Sequence, residues 1–248
     1  MSAEPGNVAG PASQPVTNDY DSFAAAYSAE SETNLANAYY AKPAILDLAG
    51  DVAGRRILDA GCGSGLISAA LRDRGAVVTG FDSSARMLDL AQERLGDHAD
   101  LHSADLANPL PFPDEAYDDA VACLVLHYLE DWSAPLAELR RVLKTGGRLI
   151  VCVDHPFAIT LMEMDKGLRF GYFETRARDE VWAFGDGVPM RFWHRPLHAM
   201  SEAFAAAGFR ISVISEPPPA PGAAERFPDD LAGKSRFLCF LFFVLEAV

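Results

Sequence analysis

The sequence predicts an α/β fold, a parallel sheet covered by helices on both faces. Two observations carry this expectation. Short apolar runs alternate with helix-period segments from Arg56 to Val153. One of those runs, Ile57-Leu58-Asp59-Ala60, enters a glycine-rich turn that opens a helix. Near-continuous apolar strands suit a sheet buried on both faces.

The elements follow in order. Tyr20, Phe23 and Tyr27, then Leu35 and Tyr39, recur at helical spacing and predict two short helices. Arg56 to Ala60 is the first strand. Leu66 to Arg74 is a helix stopped by Gly75. Ala76 to Phe81 is the second strand, and Ser83 or Ser84 caps a helix to Leu95. Asp100 to Ser103 and Ala116 to Leu126 are the third and fourth strands, with a helix over Ala134 to Leu143. Thr145-Gly146-Gly147 turns into a fifth strand, Arg148 to Val153. The rhythm then breaks. Residues 156–196 read as an insertion without helical period, holding a hairpin near Tyr172 to Phe184 and Val188 to His194. Leu197 to Ala207 is a helix, Arg210 to Ser215 a sixth strand, Glu216 to Ser235 a Pro-rich loop and Phe237 to Glu246 the last strand.

Composition bounds the rest. The chain has 248 residues, half of them apolar, which suits one α/β domain over residues 19–248. Residues 1–18 are mostly Pro, Gly, Ser and Ala and are expected to be disordered. The net charge of −14 repels phosphate, so neither nucleic acid nor an anionic membrane is an expected partner. Cys62, Cys123, Cys152 and Cys239 form no C-x-x-C pair, and isolated thiols suit a reducing cytoplasm. The start lacks the basic and apolar stretches of a signal peptide. The run Phe237 to Val248 is shorter than the ~20 residues of a spanning helix.

The chemistry-bearing signal is Leu58-Asp59-Ala60-Gly61-Cys62-Gly63-Ser64-Gly65. Glycines let the backbone approach a ligand closely, and the amides of a helix start meet its polar groups. The dinucleotide fingerprint fails, because Leu66 stands where its third glycine or alanine belongs. Asp82 ends the second strand, 21 positions after Gly61, where a carboxylate can accept both ribose hydroxyls of a nucleoside. The alternative is a helix cap. Asp105 follows the third strand, where it reads either as an adenine contact or as a turn-stabilising carboxylate.

Together these pieces resemble the class I S-adenosylmethionine (SAM)-dependent methyltransferases over roughly residues 45–155. LDAGCGSG resembles the family's glycine loop, VTGFDSSARML its ribose segment and SADL its adenine segment. PFPDEAYDDAVACLVLHYLED resembles the fourth-strand region, and ELRRVLKTGGRLIV the helix and turn before strand five. The resemblance implies a Rossmann-like, seven-stranded, mostly parallel sheet whose last strand is antiparallel and lies between the fifth and sixth. It implies SAM as cofactor and S-adenosylhomocysteine (SAH) as product. Asp59 and Gly61 would lie near the methionine moiety, Asp82 at the ribose, and Asp105 with Leu106 at the adenine. The implied cofactor set is completed by Ala60, Gly63, Ser83, Met87 and Leu124. Residues 19–50 would form a helical lid placing Tyr20 and Tyr27 over the cofactor, where ring faces attract a sulfonium; ordinary helix packing is the alternative for both.

The acceptor class follows by exclusion. No Asp/Asn-Pro-Pro-aromatic tetrad follows strand four, where the chain reads Val125-Leu126-His127-Tyr128, and no cysteine follows a proline. No cysteine triplet suggests an iron–sulfur cluster, and no metal is expected. A small-molecule acceptor remains. The C-terminal part, with VDHPF and HRPLHAMSEAFAAAGFRISVISEPPP, resembles bacterial methyltransferases of quinone and secondary metabolism. Phe157, Phe170, Tyr172, Phe173, Trp182, Phe184, Phe192 and Trp193 give the insertion an aromatic wall suited to capping a flat acceptor, with O- or N-methylation favoured. His127 and His155 are the candidate catalytic bases, since both follow adjacent strands at the ligand-binding end of such a sheet. His194 and His198 are weaker candidates. The rival readings are C-methylation of an aromatic ring, other SAM chemistry, a SAM-binding protein without catalysis, and an NAD oxidoreductase.

Overall fold

The computed structural model describes residues 18–97, 99–169, 171–184, 187–231 and 239–248. Apart from Asn18, the expected N-terminal tail lies outside these residues, as do Phe170 and the first two residues of the expected last strand.

Seven strands form one sheet in the order β3-β2-β1-β4-β5-β9-β8. They are β1 (Arg56–Ala60), β2 (Val77–Asp82), β3 (Asp100–Ser103), β4 (Tyr117–Cys123), β5 (Leu143–Asp154), β8 (Phe209–Ser215) and β9 (Phe240–Ala247). β1 to β5 run parallel, and β9 is antiparallel to both β5 and β8. A separate antiparallel hairpin pairs β6 (Arg176–Trp182) with β7 (Val188–His194). The helices are α1 (Ala24–Ser31), α2 (Lys42–Ala49), α3 (Leu66–Asp73), α4 (Ala85–Leu95), α5 (Ser133–Val142), α6 (Pro156–Asp165) and α7 (Leu197–Ala206), with single turns at Ala223–Arg226 and Pro228–Leu231. Among the described residues no helix is long and apolar enough to cross a membrane.

The sheet is buried from both sides. Leu58, Ala120, Leu149 and Phe243 face a core closed by α5 and α7 through Leu136, Leu139 and Phe204. Ile57, Val121, Ile150 and Phe242 face the opposite core, closed by Tyr40 and Ile45 at α2 and by Leu71 of α3. This alternation is the period-two pleat of a strand buried on both faces.

Three expectations change. Residues 156–165 are helical, not irregular. Their sequence, PFAITLMEMD, has no polar face to set a period: Ile159 is buried inward while Phe157, Leu161, Met162 and Met164 stay exposed outward. β4 ends at Cys123, because Leu124 adopts φ of 58° and starts a tight 3-10 turn over Leu126–Tyr128. β5 begins at Leu143 and carries the Thr145-Gly146-Gly147 turn as an irregularity in its pairing with β4.

At the amino ends of the strands a fully buried carboxylate, Asp119 on β4, is gripped by two arginines. Arg148 of β5 donates from Nε and Nη2 at 2.8 Å each, and Arg55, just before β1, donates from Nη2 at 2.8 Å and from Nε at 2.5 Å. Bidentate pairing satisfies both oxygens and ties three adjacent strands. Removing one partner of such a cluster leaves charge unpaired. Asp119→Ala is expected to cost about 3 kcal/mol in urea unfolding; a loss under about 0.5 kcal/mol would show that the clamp is dispensable.

Candidate functional site

The site lies at the carboxyl ends of β1, β2 and β4, where the strand order reverses between β1 and β4. β1 delivers Asp59 and then turns at Gly61, whose φ is +68°. A Cβ there would sit 2.6 Å from Val125 Cγ2, so only glycine fits both the backbone and the space. The loop enters α3 through Gly65, and a cavity of about 290 Å³ opens above it.

Three carboxylates line this cavity. Asp59 is 1% exposed and accepts one side-chain hydrogen bond, from Ser68 Oγ at 2.6 Å. Burial pushes its carboxyl up to about 6. Asp82 accepts the N–H groups of Gly63 at 2.8 Å and Ser84 at 2.9 Å. Burial raises its carboxyl as well, against the pull of those amides. Asp82 does not cap α4; Ser84 does, its Oγ accepting the Met87 N–H at 3.1 Å. Asp105 accepts the Ala107 N–H at 2.9 Å, so it braces its own turn while facing the cavity.

Tyr20, Tyr27, Gly61, Gly63, Ser83, Met87, Leu106 and Leu124 also line the cavity. Ala60 does not: its side chain points into the core beside α5, fully buried. The sequence reading missed Asn37, Lys42 and Tyr128, which also line it. Tyr128 lies in the VLHYLED stretch beside His127. Asn37 and Lys42 sit in a helical stretch with no motif to single them out.

A second cavity of about 480 Å³ adjoins the first, sharing Tyr27, Asn37, Leu124 and Tyr128 with it. Trp182, Phe184 and Phe192 of the hairpin wall it, with Tyr27 stacked on Trp182 at 5.7 Å. Its polar side holds His127, Asp154, Arg178 and Glu180. His127 is buried, with Nδ1 3.5 Å from Asp154 Oδ1 and its ring edge-on to Phe192 at 5.2 Å. The other Asp154 oxygen accepts from Arg178 Nη2. Burial alone would raise the Asp154 carboxyl, but His127 and the Arg178 guanidinium outweigh it and hold it below the usual range. Tyr20 and Tyr128 share a hydroxyl–hydroxyl hydrogen bond, and burial pushes both phenols well above their ordinary value.

His155 is elsewhere. Its Nδ1 accepts the Ala158 N–H at 3.3 Å as the cap of α6, and its Nε2 bonds Glu216 at 2.6 Å. It lines a separate surface cavity of about 560 Å³ with Phe157, Tyr172 and Phe173. Along β5 successive side chains alternate, so Asp154 and His155 leave the strand end on opposite sides. His194 is buried with Nε2 on the Tyr172 carbonyl at 2.8 Å, and burial lowers its imidazole. His198 lies near Phe173. The expected aromatic wall is therefore divided: Trp182, Phe184 and Phe192 face the second cavity, while Phe157, Tyr172 and Phe173 face the third. Trp193 lines a small internal void with Trp132. Among the described residues no group of three or more His, Cys, Asp or Glu side chains could hold a metal ion.

Residues 58–151 match the family described as methyltransferase domain. Over these residues the chain is similar to methyltransferase domains. A demethylmenaquinone methyltransferase from Tropheryma whipplei is 37% identical over 108 residues, 43% of this chain and 45% of its own length. A malonyl-[acyl-carrier protein] O-methyltransferase from Serratia marcescens is 41% identical over 97 residues, 39% of this chain and 37% of its own. The chain thus spans less than half the length of these relatives. A SAM-dependent methyltransferase structure from Mesorhizobium loti shares the fold, with a TM-score of 0.64, 24% identity and coverage of 82% of this chain and 96% of that one. The matched residues 58–151 hold the glycine loop and all three cavity carboxylates. Asp154, Arg178, Glu180 and Trp182 lie beyond them.

The residues present fit SAM. A buried carboxylate with a single side-chain donor, Asp59, suits a cationic ligand group, and Asp82 sits where a ribose carboxylate is needed. Asp82→Ala is expected to weaken SAH binding about 100-fold by calorimetry, as loss of a charge-assisted pair of bonds does. Asp59 ionises fully only above about pH 6. SAH affinity should therefore fall as pH drops below about 6 and stay flat in Asp59→Asn. A pH-independent wild type would remove Asp59 from the binding site.

Proposed function

We propose that the chain transfers the methyl group of SAM to a hydroxyl or ring nitrogen of a small, flat aromatic metabolite. One observation carries this reading: His127 stands buried in the wall of an aromatic cavity that adjoins the cofactor cavity, with its Nδ1 turned to Asp154 at 3.5 Å. Bound SAM supplies an electrophilic methyl carbon on a sulfonium. The protein's work is to bind, orient and exclude water. Trp182, Phe184 and Phe192 offer stacking faces to a planar acceptor. Leu124 and Tyr128 belong to both cavities and set how the acceptor meets the cofactor. Both His127 ring nitrogens are buried without a hydrogen-bond partner among the described residues, and Asp154 Oδ1 faces Nδ1 at 3.5 Å. In this reading that carboxylate favours the proton on Nδ1, and Nε2 takes the acceptor's proton. Neutral phenols at Tyr20 and Tyr128 close the seam without adding charge.

Residues 19–50 serve as the lid and residues 156–196 as the acceptor cap in this reading, which supports a single domain over 19–248. Relatives named for a demethylmenaquinone and for a malonyl-acyl carrier support an acceptor outside the nucleic acids. The free thiols support a cytoplasmic setting.

The test is labelled methyl from SAM, offered separately to the small-molecule and macromolecular fractions of a host extract. Label in a small aromatic product is the expected outcome; label only in protein or nucleic acid overturns the acceptor class. With that product, His127→Ala is expected to lower turnover ~10²–10⁴-fold while SAH affinity stays within about twofold. His155→Ala should keep its turnover and lose about 1 kcal/mol of stability with the α6 cap. Undiminished turnover in His127→Ala would remove the base.

A further inference from the structure

Asp154 is shared. One carboxylate oxygen faces His127 Nδ1 at 3.5 Å, and the other accepts from Arg178 Nη2. The second amino group of Arg178, Nη1, bonds Glu180 Oε1. The guanidinium lies 4.8 Å from the centre of the Phe192 ring, and His127 meets the same ring edge-on at 5.2 Å. Arg178 and Asp154 side chains are 10% and 20% exposed, so solvent screens this chain of charges weakly. The sequence from base to hairpin is His127, Asp154, Arg178, Glu180.

We propose that Arg178 is a positioning residue that sets the basicity of His127 through the carboxylate they share. The proposal rests on the reading of His127 as the base. An unshared carboxylate beside an imidazole favours the imidazolium, which cannot accept a proton. A guanidinium on the same carboxylate takes part of that stabilisation, because arginine keeps its charge at every working pH. His127 then keeps Asp154 at ion-pair distance while that carboxylate's pull is divided with Arg178. Glu180 works against Arg178, drawing its charge away from Asp154. The hairpin thereby enters the chemistry as well as capping the pocket. The depressed carboxyl of Asp154 agrees with the Arg178 guanidinium acting on it.

Glu30 of α1 lines the same cavity as His127. Tyr128 packs edge-on at 4.6 Å on its own turn, and Tyr20 and Tyr27 reach the site from the N-terminal segment as neutral phenols. His194, the last residue of β7, and Arg195 line the small void that His127, Asp154 and Arg178 also line. Arg178 also bears on the His194 imidazole, so the His194 signal is followed separately.

The two substitutions have opposite signs. Arg178→Gln releases Asp154 to His127 and raises the pH at which the imidazole loses its proton. Glu180→Gln frees Arg178 to bind Asp154 harder and lowers it. The measurement is an NMR titration of the histidine side chains, with the His127 signal identified by its loss in His127→Gln. The expected shifts are upward by about one pH unit in Arg178→Gln and downward by about half of one in Glu180→Gln, with Arg178→Lys near wild type. Shifts of one sign in both variants, or none, overturn the proposal. Should Arg178→Gln fail to fold, Glu180→Gln decides alone: a downward shift supports the coupling and a stationary signal ends it. The titration needs no turnover, so the two readings fail separately. Opposite shifts with full methyl transfer in His127→Ala would refute the base alone. A stationary titration with lost transfer would refute the role of Arg178 alone.

Discussion

Strands β1, β4, β5 and β9 are covered on both faces, so their polar side chains find partners chiefly at the strand ends. Burying a polar group without a partner costs about 1–3 kcal/mol, and burying a charge costs more. The sequence obeys this constraint at each end. At the amino ends, Asp119 is fully buried and gripped by Arg55 and Arg148. At the carboxyl ends, Asp59, Asp82 and Asp154 emerge beside cavities. Asp119 is satisfied within the protein. Asp59, with one side-chain donor and a carboxyl raised to about 6, is held incompletely. The first end fixes the sheet, and the second leaves unspent affinity for a ligand.

The two adjoining cavities exist because β4 stops where it does. A strand continuing past Cys123 would run its backbone through the space between them. Leu124 breaks it with a left-handed φ of 58°, held by its N–H on the Cys152 carbonyl at 2.8 Å. A non-glycine residue there is strained by an amount of order 1 kcal/mol, which the surrounding packing sustains. The turn that follows then carries His127 and Tyr128 into the walls of the second cavity. A single backbone angle thus links the end of a core strand to the placement of the candidate base. Gly61 makes the complementary approach from β1, coming so near Val125 that a Cβ would not fit.

Much of this was legible in the residues because local physics decides it. The alternation of strands and helices marked β1 and β3 to the residue, and the strand–glycine loop–helix pattern located the first cavity. What stayed hidden depends on partners distant in sequence. Asp154 and Arg178 are 24 positions apart and meet only when the hairpin folds over β5. His155 read as a candidate base because it follows the strand next to the one before His127, yet the pleat sends it to the side opposite Asp154. Leucine at positive φ carries no sequence signal, so β4 read three residues too far at its carboxyl end. α6 read as irregular because apolar residues lie on both its sides. Ala60 sits inside the glycine-loop motif, but strand alternation turns its side chain into the core.

The roof of the site is built differently from its floor. The N-terminal segment touches both cavities through contacts that are individually weak. Asn18 exchanges two hydrogen bonds with the Arg191 backbone on the hairpin, at 2.9 and 2.7 Å. Asp21 accepts from Ser84 Oγ and the Arg86 N–H at the start of α4. Glu32 pairs with Arg94, and Tyr20 with Tyr128. Exposed ion pairs contribute about 0–1 kcal/mol, and ordinary hydrogen bonds about 0.5–1.5 kcal/mol each. Stacked rings such as Phe23 on Phe184, at 5.0 Å, add about 0.5–1.5 kcal/mol beyond their buried area. Detaching this segment therefore costs a fraction of the energy of unfolding the sheet, whose strands are bound by continuous ladders and two apolar cores. Contacts of this strength suit a roof that must release one nucleoside ligand and admit another, while Asp82, Gly61 and Leu124 keep their places below it.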